Sequence, residues 1–227
     1  MRKSTKVLLN ATVILFLLIC TPFIFSICTH AEEKQDVSSI IGGIKIIDGK
    51  QYKMSQEEAQ AEFLAEEKSR QASSMQELLA DKNLFSPRVV TQTKITSQSV
   101  VTGKNEKISA SYVNSTSSNI IKEVSGSSEK TVKLESGVNV DLSNVVSKAN
   151  ADFKITASVS VSRTVKDKVT IKPGKTFYMT FTPKYYRIKG KQYLLLSHGQ
   201  GTWKDFVVKA PKRAGEELDG TVYYIEK

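Results

Sequence analysis

Apolar and polar residues alternate along much of the second half of the chain. From Phe153 to Ile171 every even-numbered residue is polar, and the odd-numbered residues are apolar except for Arg163 and Asp167. A period of two predicts a half-buried strand. The run has 19 residues, and at about 3.3 Å per residue it would extend roughly 60 Å. We therefore expect one very long strand, or two collinear strands broken near Arg163–Asp167.

A second alternating run comes before it, and the two together predict a long amphipathic β-hairpin over residues 131–165. Ser143–Asp152 lies between the runs and is interpreted as a loop or a single helical turn. Each arm has the length of a transmembrane β-strand. The alternative is an ordinary hairpin that covers one face of a sandwich. The candidate membrane-facing residues share the apolar face of the hairpin: Val132, Leu134, Val138, Val140, Leu142, Phe153, Ile155, Val159 and Val161.

The C-terminal part of the chain predicts several shorter strands and is rich in aromatic residues. Thr176–Thr182 alternates and is followed by Pro183, which we expect to end the strand. Lys189-Gly190 predicts the turn of a hairpin between two short strands. Further strands are expected over Trp203–Lys209 and Thr221–Ile225. Upstream, Lys107–Val124 is a weaker strand candidate.

One long helix is predicted, over residues 56–82. Ser55 stands three positions before Glu58, which is the spacing of a capping box. The apolar stripe of this helix, which includes Leu64, is thin. Residues 32–87 are therefore interpreted as an N-terminal helical segment and a candidate for removal as a pro-segment, followed by an elongated β domain over residues 88–227.

The N-terminus has the layout of a secretory signal peptide. Three basic residues precede the apolar run Val7–Ile27, and Thr29-His30-Ala31 supplies small residues at the two outer positions of a cleavage triplet. An uncleaved membrane anchor is the alternative, because 21 residues could span a bilayer. We expect cleavage near Ala31, so that residues 1–31 are removed and the protein is secreted.

Composition excludes several classes of site. The chain of 227 residues carries a formal charge of +10 and has only two Cys and two His. A four-ligand Cys/His zinc site would have to use all four of them, and a Cys₄ iron–sulfur site or a disulfide scaffold would need more Cys than the chain has. After cleavage no Cys remains, and His198 is the only His. No acid and no oxyanion hole accompany His198 and Ser197. We therefore expect neither an enzyme nor a cofactor nor a metal.

Aromatic and basic residues interleave in one short stretch near the C-terminus. Such a group could bind an anionic surface such as a cell-wall polymer or lipid headgroups, or it could be a structural hairpin with buried aromatics and solvated lysines. Export argues against nucleic acid as the partner. The group comprises Tyr185, Tyr186, Arg187, Lys189, Lys191 and Tyr193.

The signal peptide, the Ser/Thr-rich β region with its hairpin, and the Pro173-Gly174 turn before aromatic strands resemble the aerolysin/epsilon-toxin superfamily of β-pore-forming proteins. The chain also resembles small secreted Gram-positive proteins that share an elongated β body. The resemblance covers residues 88–209 and is one of pattern. It implies a mainly β fold: an elongated antiparallel sheet or sandwich with long strands, preceded by one N-terminal helix and the signal peptide. It also implies homo-oligomeric rings and a membrane-inserting hairpin. The chain lacks a large receptor-binding domain.

Two functions from different classes therefore remain open. The first is a membrane-active protein that assembles and inserts its hairpin into a membrane. The second is a non-toxic secreted protein held at the cell surface by its basic charge, with anionic wall polymers as its partner.

Overall fold

The structure, a computed structural model, describes residues 36–47, 50–77, 90–137, 140–195 and 201–227. It is mainly β, and all of its strand pairs are antiparallel, which confirms the predicted fold class. Two α-helices are present in these residues, α1 (Gln56–Glu77) and α2 (Leu142–Phe153), and Val37–Ser39 forms one turn of 3-10 helix. The strands are β1 (Ile40–Ile47), β2 (Lys50–Met54), β3 (Val90–Thr102), β4 (Glu106–Lys107), β5 (Tyr112–Val113), β6 (Ile120–Thr131), β7 (Lys133–Ser136), β8 (Ser160–Ile171), β9 (Thr176–Leu195), β10 (Gly201–Pro211), β11 (Arg213–Ala214), β12 (Glu217–Leu218) and β13 (Gly220–Glu226).

Strand β9 organises the main sheet, whose order is β2-β1-β13-β9-β10-β7. It has 20 residues, roughly 65 Å when extended. Its first half pairs with β13 on one side and with β4 and β5 on the other. Its second half pairs with β10 and β3. The sheet is therefore long, and each half of β9 has its own neighbours.

The predicted end at Pro183 and the predicted turn at Lys189-Gly190 are both wrong, because β9 runs through them without interruption. Pro183 lies where the neighbours of β9 change, so its missing N–H removes no regular ladder bond. Gly190 is needed for close packing rather than for a turn. A Cβ atom there would lie 2.5 Å from Cζ of Phe206 and 2.6 Å from the carbonyl oxygen of Lys94.

The part of the main sheet that contains the first half of β9 is covered on both faces. On one face β6 and β8 form a separate two-stranded sheet, and their inward residues Val161 and Val165 pack with Phe177 and Phe181 of β9. On the other face α1 buries Phe63 against Tyr223, with ring centroids 5.2 Å apart. Each fully buried side chain of this size contributes about 1.5–3 kcal/mol.

The capping box at the start of α1 is confirmed. The backbone N–H of Ser55 donates to Oε2 of Glu58 at 2.8 Å, and the backbone N–H of Glu58 donates to Oγ of Ser55 at 3.3 Å. The predicted apolar stripe is wrong in one respect, since Leu64 is exposed and the neighbouring Phe63 makes the contact with the sheet.

The described residues from Asp36 onward belong to one compact unit. Strand β1 lies between β2 and β13, so the segment before α1 is part of the main sheet.

Candidate functional site

The predicted pairing of residues 132–142 with residues 153–163 is wrong for this state. Strand β8 pairs instead with β6, in a continuous register from Ile120–Ile171 to Thr131–Ser160. It begins at Ser160 and continues unbroken through Arg163–Asp167. The chain between the two strands, residues 132–159, is called the inter-strand segment below.

The inter-strand segment forms a short strand and a helix rather than two hairpin arms. Strand β7 pairs with β10 at the edge of the main sheet. Asp141 caps α2, because its Oδ1 accepts from the backbone N–H of Asn144 at 3.0 Å. Val145, Val146 and Ala149 lie on one face of the helix and are buried against the sheet. The helix of 12 residues forms where a loop or a single turn was expected, because this cap and this packed face favour it.

The predicted apolar residues divide between three environments. Val132, Val140, Leu142 and Ile155 are half-buried against the cluster beneath α2, which includes Tyr186, Ile188 and Phe206. Val161 is buried in the other core cluster, between β8 and the first half of β9. Val138 lies outside the described residues. The remaining three are partly exposed, with relative accessibilities of 39% for Leu134, 38% for Phe153 and 41% for Val159.

The β6–β8 ladder extends beyond the two strands. The backbone N–H of Val132 donates to the carbonyl oxygen of Val159 at 2.7 Å, in the same register. Val132 and Val159, the first and last residues of the inter-strand segment, therefore continue the antiparallel pairing of β6 with β8 by one residue pair.

Two charged side chains interrupt the inward face of β8. Arg163 is buried, and its Nη1 donates to the carbonyl oxygen of Leu218 and lies 3.2 Å from Oε2 of Glu217. Asp167 accepts from the Tyr224 hydroxyl at 2.6 Å and pairs with Lys53. These contacts attach β8 to the rest of the fold. The apolar face is free of charged residues only on the N-terminal side of Arg163.

A carboxylate joins the inter-strand segment to the sheet. Oε2 of Glu135, in β7, accepts from Nε of Arg187 at 2.7 Å, and its Oε1 lies 3.8 Å from Nζ of Lys209. Arg187 and Glu135 are both largely buried. This ion pair is a polar contact between β7 and the second half of β9.

The basic and aromatic group lies on β9, but its members divide between two faces. Side chains alternate along a strand, so Tyr185, Arg187, Lys189, Lys191 and Tyr193 share one face, called the basic face below. Tyr186 points the other way and is buried beneath α2, which removes it from any surface.

Arg187 is also buried, in its pair with Glu135, so the exposed cations of β9 on the basic face are Lys189 and Lys191. Burial raises the pKa of Tyr185 to about 12, with a smaller contribution from Glu106. Nζ of Lys209 lies 5.2 Å from the centre of the Tyr185 ring.

Strand β10 adds residues to the basic face that the sequence did not indicate. Trp203 is the cross-strand partner of Tyr193, and their ring centroids are 5.4 Å apart. Lys209 is the partner of Arg187, and Asp205 is the partner of Lys191. All three stand at odd-numbered positions of β10 and therefore share one face of that strand. The sequence does not show that this is the face of Lys189 and Lys191 until the register with β9 is known.

Neither helix in the described part of the chain is long and apolar enough to cross a membrane. Among the same residues no group of three or more His, Cys, Asp or Glu side chains is placed to hold a metal ion. His198 lies outside the described residues. No known family model matches this chain, and no curated protein matches it.

Proposed function

We propose that the protein acts on membranes by refolding its inter-strand segment into a β-hairpin that inserts into the lipid. The observation that supports this proposal is the Val132–Val159 hydrogen bond, which continues the β6–β8 register into the segment. In this view, β6 and β8 form the base of the hairpin and the inter-strand segment supplies its arms.

Continuing that register puts the apolar residues of the segment on one face. After Val132 opposite Val159, Leu134 would face Ala157, Ser136 would face Ile155, and Val138 would face Phe153. The other face would carry polar residues and one glycine, such as Glu135 opposite Thr156 and Gly137 opposite Lys154. Transmembrane β-strands alternate in this way between lipid and a polar interior.

The arms also have a suitable length. Residues 132–142 and 149–159 are 11 residues each, and a transmembrane β-strand needs about 9–11. The turn would fall within residues 143–148. Arg163 and Asp167 would stay outside the lipid, held by Glu217 and Tyr224.

In the described state some of these apolar residues, including Val132 and Ile155, pack against the protein itself. They cover Tyr186, Ile188 and Phe206, and releasing them would expose that surface to water at a cost of about 25 cal/mol per Å². A single inserted hairpin would also leave backbone groups unpaired in lipid. Insertion therefore requires several chains that pair their hairpins side by side, so we propose a homo-oligomer as the active form.

A reversible covalent lock tests the refolding step. Ser136 and Val207 are partners across β7 and β10, and opposite residues of antiparallel strands lie about 4.5–5.5 Å apart, a separation that suits a disulfide. The double variant Ser136→Cys/Val207→Cys should release little dye from phosphatidylglycerol-containing vesicles when oxidised and should recover wild-type release when reduced.

The single variant Ser136→Cys, treated with the same oxidant, is the control and should release dye like the wild type. Full release by the oxidised double variant would refute the refolding. Folded wild-type protein that leaves vesicles intact at micromolar concentration would refute membrane action altogether.

The basic face supports a second candidate, attachment to anionic polymers of the cell surface without insertion. Lys189 and Lys191 are exposed on this face beside Trp203 and Tyr193. Binding to purified wall polymer without dye release from vesicles would favour this candidate over the first.

Both candidates place the protein outside the cell. We propose export with removal of residues 1–31, supported by the signal-peptide layout of the sequence. N-terminal sequencing of protein from the medium should then begin at Glu32, whereas full-length chain in the membrane fraction would indicate an uncleaved anchor.

A further inference from the structure

Three cations stand side by side on the basic face. Arg187 of β9 is the cross-strand partner of Lys209 in β10, and Lys209 is in turn the partner of Lys133 in β7. Side chains of directly opposite residues point to the same face of an antiparallel sheet, and like charges at such positions destabilise it. These three residues are called the cation row below, and their arrangement favours an anion on the same face.

Glu135 is the anion that the cation row holds in the described state. Its Oε2 accepts from Nε of Arg187 at 2.7 Å, and its Oε1 lies 3.8 Å from Nζ of Lys209. One carboxylate among three cations leaves a net positive charge. Lys133 is exposed and Lys209 is half-buried, whereas Arg187 is buried. An anion from outside can therefore approach the row along its lysines.

The carboxylate in the cation row belongs to the segment that moves in the proposed refolding. Glu135 is in β7, within the inter-strand segment, whereas Arg187 and Lys209 are in β9 and β10, outside it. Strand β7 has four residues, and its register with β10 is irregular between Val207 and Val208. So short a ladder contributes few hydrogen bonds, and breaking a largely buried ion pair is strongly destabilising. The attachment of β7 therefore depends on the ion pairs of Glu135 as well as on the ladder.

A phosphate group suits the place that the Glu135 carboxylate occupies. A guanidinium group binds phosphate oxygens through two parallel hydrogen bonds, as it binds a carboxylate, and ammonium groups also bind phosphate. The negative potential at the surface of an anionic bilayer attracts basic residues. The same potential repels a carboxylate, so contact with such a bilayer favours phosphate over Glu135 in the cation row.

We propose that Arg187 and Lys209 form a binding site for the phosphate group of an anionic phospholipid, and that this phosphate displaces Glu135 and releases β7 from β10. This inference rests on the membrane action proposed above and gives it a trigger, which is contact of the basic face with the target membrane. The displaced Glu135 then takes its place opposite Thr156 on the polar side of the hairpin. A neutral bilayer does not start the refolding.

Hydrogen exchange in β10 measures the release of β7. The amides of β10 that bond to β7 lose their partner when β7 leaves, whether or not the hairpin then inserts. Protein purified after expression of the full chain is mixed with vesicles of phosphatidylcholine, with or without phosphatidylglycerol. We expect these amides, in residues 207–209, to exchange at least 10-fold faster when phosphatidylglycerol is present. Salt at about 1 M, where the screening length is about 3 Å, should remove the difference.

Variants separate the release of β7 from the binding of phosphate. Glu135→Gln should make the same amides exchange at least threefold faster without vesicles. Glu123→Gln, with the same change of charge on the outer face of β6, should leave them unchanged. Lys209→Gln keeps the pair of Arg187 with Glu135, and it should reduce the effect of phosphatidylglycerol at least threefold. Lys168→Gln, on the outer face of β8, is its control and should respond like the wild type.

Three results would overturn the proposal. The first is a failure to bind phosphatidylglycerol vesicles, or binding with unchanged exchange in residues 207–209. An effect of Glu135→Gln alone would then give this carboxylate a purely structural role. The second is an equal loss of the response in Lys209→Gln and Lys168→Gln. The third is faster exchange with soluble polyglycerol phosphate and not with vesicles, which would assign the site to a wall polymer instead of a lipid.

Dye release from the same vesicles distinguishes this proposal from the proposed function. Faster exchange in residues 207–209 without dye release would support the phosphate site and refute insertion. Dye release with unchanged exchange would overturn the displacement of Glu135 and leave membrane action in place.

Discussion

The backbone N–H of Val132 donates to the carbonyl oxygen of Val159 at 2.7 Å, although 26 residues of chain separate them. This bond makes the two-stranded sheet of β6 and β8 a hairpin whose loop is an entire strand and helix. Extending the hairpin changes the partners of the inter-strand segment but leaves the β6–β8 register as it is.

The first prediction concerns the depth of the inserted arms. In the continued register Phe153 lies near the middle of its arm, and it is 38% exposed in the described state. A lysine facing lipid at the midplane costs about 2–4 kcal/mol per chain. Phe153→Lys should therefore abolish dye release from vesicles while the melting temperature stays within a few degrees of the wild type.

Asp152→Lys is the matched control, because this exposed neighbour would face the polar side of the hairpin. It should release dye and shift the ion selectivity of the leak toward anions. Equal release by the two lysine variants would mean that the register of the inserted arms is different from the one proposed.

The second prediction concerns attachment to anionic surfaces. Lys189→Glu with Lys191→Glu reverses two exposed charges of the basic face. Among the residues that the structure describes, the only ion pair of either lysine is that of Lys191 with Asp205, at 3.6 Å with both groups exposed. The pair of substitutions should weaken binding to anionic vesicles at least 10-fold at low salt, because exposed charges act over about 10 Å at 0.1 M salt. Co-sedimentation with vesicles measures the loss.

Lys166→Glu with Lys168→Glu makes the same change of charge on the outer face of β8 and is the control. At about 1 M salt, where the screening length falls to about 3 Å, the two double variants and the wild type should bind alike. Equal losses in both double variants would show that net charge, and not the basic face, determines attachment.

The sequence predicted local features well and partner choice poorly. The capping box of Ser55 and Glu58 and the alternation over Ser160–Ile171 follow from neighbouring residues, and both are present. The partner of β8 was missed because few inward residues of β6 are apolar. Gly126 takes one of these inward positions, and a Cβ atom there would lie 2.9 Å from the side chain of Ile108. Periodicity does not reveal such a strand.

The inter-strand segment shows a different limit. Its two ends alternate, but the residues between them present Val145, Val146 and Ala149 on one face of a helix. Packing against Phe206 and Ile188 decides between the two structures, and that contact is absent from any local pattern. The basic face was predicted in part, because Lys189 and Lys191 are exposed, while the burial of Arg187 depends on Glu135, 52 positions away.

The third prediction tests why Gly190 stands within β9. Gly190→Ala would force its methyl group against the Phe206 ring and the Lys94 carbonyl, and overpacking of this kind costs typically 1–3 kcal/mol. We expect the free energy of unfolding, measured in urea, to fall by that amount. Lys189→Ala, at the exposed neighbouring position, should change it by less than about 0.5 kcal/mol.

The fourth prediction concerns a buried carboxylate between α1 and the sheet. Glu66 accepts from the Thr221 hydroxyl and from the Tyr223 hydroxyl, each at 2.7 Å. Burial raises the pKa of Glu66 above its ordinary value. The two hydrogen bonds and the charge of Lys184 act in the opposite direction but are smaller, and Glu62 adds to the rise.

Because its pKa is raised, the carboxyl group of Glu66 binds its proton more tightly in the folded state than in the unfolded state. The stability that comes from this difference is fully present below the unfolded pKa near 4.5 and is lost as pH rises through the folded pKa. Glu66→Gln removes the titration and keeps an amide that can bond both hydroxyls. The variant should therefore gain stability relative to the wild type as pH rises from 4 to 8, as measured by urea unfolding at each pH.

Glu58→Gln is a matched control at the exposed start of the same helix. There, hydrogen bonds from Ser55 lower the pKa of the carboxylate, so the wild type should instead gain on that variant over the same interval. A stability difference between wild type and Glu66→Gln that stays constant with pH would show that this carboxylate does not titrate differently on folding.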